Sequence, residues 1–181
     1  MVTRRTAPAV VPQDVVAAAR RLEPSAWEQI FDLHYPRLYR MFRARTSERA
    51  EAEELAAATL RSCLGGVVGH HRRGGQDQPF ETWLFKVARC ELISFARTRP
   101  EADVMHRAVR DEFVAPSIRA ILDSLQPDHR QALALRHVVG LSRAEAAAVM
   151  GQPEEAFTAM LSDARADFRR VARATGWHAR S

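Results

Sequence analysis

Apolar residues recur along most of the chain at intervals of three and four positions, the period of an amphipathic α-helix. No stretch shows the alternation of β-branched and polar residues that is typical of strands. The pattern predicts an all-α protein with helices over residues 14–22, 25–44, 47–64, 80–98, 117–125, 128–139, 142–150 and 153–174. Ser25 and Glu28 predict a capping box at the start of the second helix, Pro36 predicts a kink or a break inside it, and Ser117 is the expected cap of the fifth helix.

The last two predicted helices are joined by a short turn over residues 151–153. Ser142 and Glu145 have the spacing of a capping box, in which hydroxyl and carboxylate satisfy two free amides at a helix start. Gly151 tolerates the positive φ that ends a helix, and Pro153 favours a new first turn. This pattern is typical of a helix-turn-helix, although an ordinary helical hairpin has the same features.

Two polar segments interrupt the helical pattern. Residues 65–79 contain five glycines and a His-His-Arg-Arg cluster, which predicts a long basic loop instead of a helix. Residues 100–116 are polar and charged, as expected for a flexible linker between two small helical domains. The predicted organisation is a disordered arm at 1–13, a helical domain at 14–99, the linker at 100–116, a helix-turn-helix domain at 117–174 and a tail at 175–181.

The charge balance favours a nucleic-acid partner. The 181 residues include 27 Lys and Arg against 22 Asp and Glu, giving a net charge of +5 and a pI near 10.2. Trp83, Lys86 and Arg89 follow each other at intervals of three on one predicted helix, and Lys86 is the sole lysine of the chain. Aromatic faces beside cations suit single-stranded nucleic acid, but a core aromatic stripe with a solvated basic side gives the same spacing.

Several other classes of protein are disfavoured. Cys63 and Cys90 form no CxxC pair, and with the neighbouring histidines they match no zinc spacing, so we expect no metal and no cofactor. No apolar run has the length of a membrane span and no signal peptide is evident, which predicts a cytoplasmic protein without a membrane partner. No phosphate-binding glycine motif or nucleophile–base cluster occurs, so neither an enzyme nor a small-molecule substrate is expected.

The order of motifs resembles that of bacterial RNA polymerase sigma factors of the extracytoplasmic-function class. The similarity covers roughly residues 14–173, and in the first domain it rests on AEEL at 52–55 and WLFKVARC at 83–90. In the second domain it rests on LQPDHR at 125–130, GLSRAEAAAVMG at 140–151 and DAR at 163–165.

The resemblance implies a promoter-specificity subunit whose partners are core RNA polymerase and promoter DNA. The residues implied in polymerase binding are Glu53, Glu54 and Leu55. Those implied in contacting the opened −10 strand are Arg72, Arg73, Trp83, Lys86 and Arg89. Those implied in binding the −35 element through the recognition helix are Arg143, Glu154, Glu155, Thr158, Ala159, Ser162 and Arg165.

The recognition helix departs from the family pattern and motivates an alternative. Thr158 and Met160 occupy positions where the family commonly has Lys and Arg, and Glu154 and Glu155 add negative charge at the helix start. Fewer phosphate contacts lower DNA affinity steeply at physiological salt. The alternative is a sigma-like interaction protein that binds polymerase, an anti-sigma factor or another regulator, with weakened DNA recognition.

Overall fold

The computed structural model describes residues 10–46, 48–72, 79–98 and 118–176, and within these ranges it contains helices and no strand. This confirms the predicted all-α class. The helices are α1 (Gln13–Arg20), α2 (Pro24–Arg43), α3 (Arg49–Arg72), α4 (Phe80–Arg97), α5 (Ile118–Asp123), α6 (Pro127–Leu133), α7 (Arg143–Met150) and α8 (Glu154–Ala174). Helix α6 continues directly as a π-helical segment, Ala134–Val139, which we call the π segment.

Helices α1–α4, within residues 10–98, form the first lobe. Helix α2 packs against α3, and α3 packs against α4. The apolar stripe of each helix faces inward because its large side chains repeat with the helical period. The largest fully buried side chains of this lobe are Ile30, His34, Leu38, Met41, Phe42, Leu84 and Phe85.

The start and the interior of α2 differ from the sequence prediction. The helix begins at Pro24 with Glu23 as N-cap, and not at a Ser25–Glu28 capping box, because a proline is well suited to the first helical position. The expected break at Pro36 does not occur. The Pro36 side chain lies on the exposed side, and the helix runs from Pro24 to Arg43.

The predicted loop at 65–79 is wrong over its first eight residues. Helix α3 continues through Gly65, Gly66 and Gly69 to Arg72, and Val67 is buried. A Cβ placed on Gly66 would touch the ring of Trp83 at 3.4 Å, so the space between α3 and α4 at this point holds little more than a methyl group. Tertiary packing therefore overrides the low helix propensity of glycine. Residues 73–78, including Arg73, lie outside the described residues.

The predicted disordered arm at 1–13 extends too far along the chain. Val11 is buried, and its backbone N–H donates to Oε1 of the buried Glu81 at 2.6 Å. The carboxylate satisfies an amide that lies outside regular structure, and the valine adds apolar area to the core. Residues 1–9 lie outside the described residues.

Helices α5–α8, within residues 118–176, form the second lobe. Helix α8 packs against α6 and α7, and a polar contact joins His129 Nδ1 to Asp167 Oδ2 at 2.9 Å. Gly140 (φ 84°) ends the π segment and Gly151 (φ 72°) ends α7, both in the left-handed region that favours glycine. The core of this lobe includes Ile121, Leu135, Leu141, Phe157 and Leu161.

The two lobes pack directly against each other. The π segment lies on α2, and α7 lies on α4. Buried residues of both lobes belong to one continuous hydrophobic cluster, which extends from Val11 to Ala164. The predicted linker at 100–116 and the cap at Ser117 lie outside the described residues.

A histidine without a hydrogen-bond partner lies in the core of the first lobe. His34 is fully buried, and within the described residues neither of its ring nitrogens has a partner. Its ring centroid lies 6.2 Å from that of Phe80 and 6.2 Å from that of Phe85. Burial, and secondarily the charge of Arg37, lower the pKa of His34 to about 3, so the ring is a neutral core side chain.

We predict that Gly66→Leu weakens the α3–α4 contact, because the added side chain must displace Trp83. The free energy of unfolding, measured by urea titration, should fall by roughly 1–3 kcal/mol. Gly65→Leu is the matched control, since nothing lies within 4 Å of a Cβ at Gly65. That variant should gain up to about 1 kcal/mol from its better helix propensity. Equal effects of the two substitutions would contradict the packing role of Gly66.

We also predict a pH-dependent loss of stability caused by His34. The unfolded chain takes up the proton near pH 6.5, whereas the folded protein does so near pH 3. Stability is therefore fully present above pH 6.5 and falls as the pH is lowered toward 3. Between neutral pH and about pH 5.5 the wild type should lose roughly 1 kcal/mol more than His34→Leu. The exposed His137→Gln is the control and should follow the wild type; parallel profiles for all three proteins would refute the prediction.

Candidate nucleic-acid interface

The Ser142–Glu145 capping box and the turn at Gly151 form as the sequence predicts. Glu145 N–H donates to Ser142 Oγ at 3.1 Å, and Ser142 N–H donates to Glu145 Oε2 at 2.7 Å, which completes the capping box. The Gln152 N–H donates to the Ala147 carbonyl at 3.1 Å and closes the turn after α7. These local bonds fix the two ends of α7. Its buried residues Ala146, Ala147 and Val149 face the core.

The outward face of α8 is acidic and polar along its first three turns. Glu154, Glu155, Thr158, Ala159 and Ser162 are all exposed, while Phe157, Leu161 and Ala164 face the core. The Thr158 hydroxyl donates to the Glu154 carbonyl at 2.8 Å and is partly engaged by its own helix. The helix supplies no cation before Arg165, so the start of this surface attracts phosphates weakly.

Two predicted −35 residues carry positive charge at the edges of this surface. Arg143 is exposed at the start of α7. Arg165 is also exposed, and its Nη2 lies 3.3 Å from Nε2 of His137 on the π segment. Arg165 therefore lies between the exposed face of α8 and an apolar groove of the second lobe that is described below.

The predicted −10 residues of α4 are only half-buried. Trp83 packs against Phe80, with ring centroids 5.6 Å apart, and against Gly66. Trp83 thus contributes to the α3–α4 contact in addition to any role at the surface. Lys86 and Arg89 are also half-buried. Arg72 is the last residue of α3, so its backbone is helical and not part of a loop as predicted.

Arg89 lies in a groove at the junction of the two lobes. The groove has a volume of about 300 Å³ and is lined by Arg45, Arg89, Leu92, Ile93, Ala96, Arg97, Pro127, Asp128 and Gln131. Burial, and next the nearby charge of Arg130, lower the pKa of Arg45 to about 10, which leaves it charged at neutral pH. Three guanidinium groups therefore face one groove between helices of different lobes.

The predicted polymerase-binding residues lie on the N-terminal half of α3. The Arg49 Nε donates to Glu53 Oε1 at 2.7 Å, and the Arg61 Nη2 donates to Glu54 Oε1 at 2.6 Å. Both acidic side chains remain on the outer side of the helix. Leu55 is 6% exposed and belongs to the core, so it supports the position of the acidic pair from inside.

Two features were missed at the sequence level. The second lobe has an apolar groove of about 430 Å³, lined by Ile118, Leu122, Leu133, Ala134, His137, Val138, Arg165, Phe168 and Arg169. Arg37 and Arg45 contact the second lobe through hydrogen bonds. The position of Arg37 in the sequence could have indicated its contact. It is a cation on the apolar stripe of α2, next to Leu38 and one turn after His34.

In the described part of the chain, no group of three His, Cys, Asp or Glu side chains is placed to hold a metal ion. Cys63 is buried and Cys90 is exposed, and burial raises the pKa of the Cys63 thiol to about 12. Across the same ranges, none of the helices combines the length and the apolar character needed to cross a membrane.

Comparison with known proteins shows which folds and sequences the chain is similar to. Residues 122–170 match the family described as "Response regulator PhyR, sigma-like domain". The fold is similar to that of CnrH in its complex with the cytosolic domain of CnrY, with a TM-score of 0.72, 22% identity and coverage of 90% of this chain and 97% of that one. It is also similar to the sigma factor RpoE of Bartonella quintana in complex with the anti-sigma factor NepR, with a TM-score of 0.61, 21% identity and coverage of 81% and 96%. These two likenesses show a shared fold of two helical lobes.

Two curated relatives are sigma factors of the extracytoplasmic-function class. The chain is 30% identical over 158 residues to the ECF RNA polymerase sigma factor BldN of Streptomyces coelicolor, covering 79% of this chain and 59% of that protein. It is 25% identical over 142 residues to the ECF RNA polymerase sigma factor SigE of Mycolicibacterium smegmatis, covering 70% and 53%. The chain thus spans just over half the length of these relatives. Over these stretches it is similar to sigma factors of the extracytoplasmic-function class.

Proposed function

We propose that this protein is a sigma factor that binds core RNA polymerase and directs it to promoters in the cytoplasm. The observation that carries the proposal is that both lobes, in order, share the sigma-factor fold over most of the chain. The role involves no catalytic step of the protein itself, since a specificity subunit acts by binding. An anti-sigma factor is a further expected partner, because both structural relatives were solved with a bound protein, one of them an anti-sigma factor.

The proposed division of labour follows the two lobes. The acidic surface of α3, with Glu53 and Glu54 held by Arg49 and Arg61, binds the polymerase. The α3 terminus and α4, with Trp83, Lys86 and Arg89, bind the opened −10 strand through stacking and phosphate contacts. Helix α8 enters the major groove of the −35 element. The backbone amides at its start and the hydroxyls of Thr158 and Ser162 contact the DNA there.

A second function has a specific observation in its favour. The exposed carboxylates of Glu154 and Glu155 lie at the start of α8, where a recognition helix meets DNA. A carboxylate can accept a hydrogen bond from cytosine N4, but it repels phosphates. The alternative is therefore a sigma-like protein that binds polymerase or a regulator without binding a −35 element.

Genome-wide run-off transcription with the purified protein and core polymerase separates these functions. We expect discrete start sites that share upstream sequences at −10 and −35, and none with core polymerase alone. Co-purification with core polymerase but no initiation would instead support the interaction protein. Start sites that share a −10 sequence alone would show that the acidic helix no longer selects a −35 element.

The role of Arg165 in DNA binding gives a quantitative prediction. Arg165→Ala should weaken binding to upstream duplex about equally for all sequences and reduce the slope of log K against log salt by about 1, as expected for one lost phosphate contact. Arg173→Ala is the matched control, since Arg173 is an exposed cation in the last turn of the same helix. A salt slope that is unchanged in the Arg165 variant, or reduced equally in both, would refute the assignment.

A further inference from the structure

The groove at the junction of the two lobes is lined by more cations than anions. Arg45, Arg89 and Arg97 line it, and in the part of the chain that the structure describes no hydrogen bond or ion pair engages Arg89 or Arg97. Among the described lining residues the sole acid is Asp128. Three cations against one anion give the groove an attraction for negatively charged ligands.

The side-chain amide of Gln131 lies in the wall of the same groove. Gln131 is 4% exposed, and its Oε1 accepts a hydrogen bond from Arg45 Nη1 at 3.1 Å. Within the described ranges its Nε2 is buried and has no hydrogen-bond partner. A buried N–H without an acceptor is costly, and a ligand oxygen that reaches this wall would remove the cost. Gln131 thus indicates a ligand independently of the cations.

Arg45 is held in place by the second lobe. Its Nη1 donates to the Pro127 carbonyl at 3.2 Å as well as to Gln131, whereas its Nε and Nη2 make no hydrogen bond to any described residue. The unused edge of the guanidinium, formed by Nε and Nη2, matches the two-point geometry of a phosphate group. Because Arg45 is already ordered, its contact with a ligand costs little side-chain entropy.

The rest of the described lining is apolar and consists of Leu92, Ile93, Ala96 and Pro127. A few convergent polar groups beside an apolar wall are typical of sites for small ligands. The groove volume of about 300 Å³ is at the lower end of the range for such sites, roughly 300–1,000 Å³. Size and lining therefore favour a single phosphate ester with an apolar part over a polymer.

We propose that this groove binds one nucleotide that carries at least two phosphates, with the phosphates held by the three guanidinium groups and by Nε2 of Gln131. The apolar wall contacts the nucleoside. The donors come from α4 and the residues after α2 in the first lobe and from α6 in the second, so a bound nucleotide contacts both lobes. The inference goes beyond the proposed function, and it can be tested without polymerase or promoter DNA.

The first test measures the binding of ADP, GDP, pyrophosphate and inorganic phosphate to the purified protein by isothermal titration calorimetry. We expect at least one nucleotide to bind as a single molecule per chain. Its binding should be about tenfold or more tighter than that of pyrophosphate, because only the nucleotide reaches the apolar wall. Absence of saturable binding for all four probes would overturn the proposal. Pyrophosphate that binds as tightly as both nucleotides would overturn the role of the apolar wall.

The second test measures the same binding in variants of the lining. Arg89→Gln and Arg97→Gln should each weaken nucleotide binding about tenfold, because a charged hydrogen bond to phosphate is lost. Asp128→Asn should strengthen it about threefold, since a like charge beside the phosphates is removed. Arg40→Gln is the matched control: Arg40 is an exposed cation on α2, and its Nε donates to the Pro36 carbonyl. Equal weakening in the Arg40 and Arg97 variants would show unspecific charge attraction and overturn the site.

The buried amide has a test of its own. Gln131→Leu should weaken nucleotide binding about fivefold, because leucine has a similar volume but no hydrogen-bond donor. Unchanged affinity in a folded Gln131→Leu protein would overturn the role of the amide. If this variant fails to fold, Arg97→Gln decides the question, since Arg97 is exposed in the last turn of α4.

A phosphate of single-stranded DNA offers the groove the same chemistry, because Arg89 also belongs to the proposed −10 surface. An oligonucleotide is therefore titrated into the wild type and the Arg97→Gln variant in the same way. Oligonucleotide binding that depends on Arg97, without binding of any free nucleotide, would overturn the nucleotide site. Promoter-directed initiation by a protein that binds no nucleotide would overturn that site alone. Nucleotide binding by a protein that initiates at no promoter would refute the proposed function alone.

Discussion

The packing of the π segment against α2 determines how the two lobes are arranged. The π segment ends at Gly140, where its last carbonyl has no partner in the helix, and Arg37 of the other lobe satisfies it. The same docking lets one hydrophobic cluster extend through both lobes and brings α7 onto α4. The free carbonyl at the helix end and the buried guanidinium thus satisfy each other, since burying either one without a partner in an apolar interface would be costly.

The two candidate DNA surfaces differ in their exposure and in their charge. The outer face of α8 is exposed, whereas Arg89 of α4 lines the groove between the lobes. The face of α8 lacks cations along its first three turns, but Arg45, Arg89 and Arg97 all line the groove. The electrostatic attraction for nucleic acid is therefore greater at the groove than at the start of α8.

The sequence predicted the local elements better than their packing. The Ser142–Glu145 capping box and the Gly151 turn were predicted correctly because a few neighbouring residues determine them. The continuation of α3 through Gly65 and Gly66 was missed, since it depends on the distant Trp83. The contacts of Arg37 and Arg45 were missed for the same reason: they span more than 80 positions, and spacing along a helix does not reveal the partner of a buried cation.

The measurement that tests this account most directly is the distance between the two lobes in the purified protein. Spin labels at Arg40 on α2 and Ala144 on α7, two exposed positions, can be introduced in a Cys90→Ser background with Cys63 left buried. Double electron–electron resonance should give one short and narrow distance distribution, because the π segment packs on α2 and Arg37 bonds to its last carbonyl. A broad distribution that extends to long distances would contradict the packing of the lobes on which this account depends.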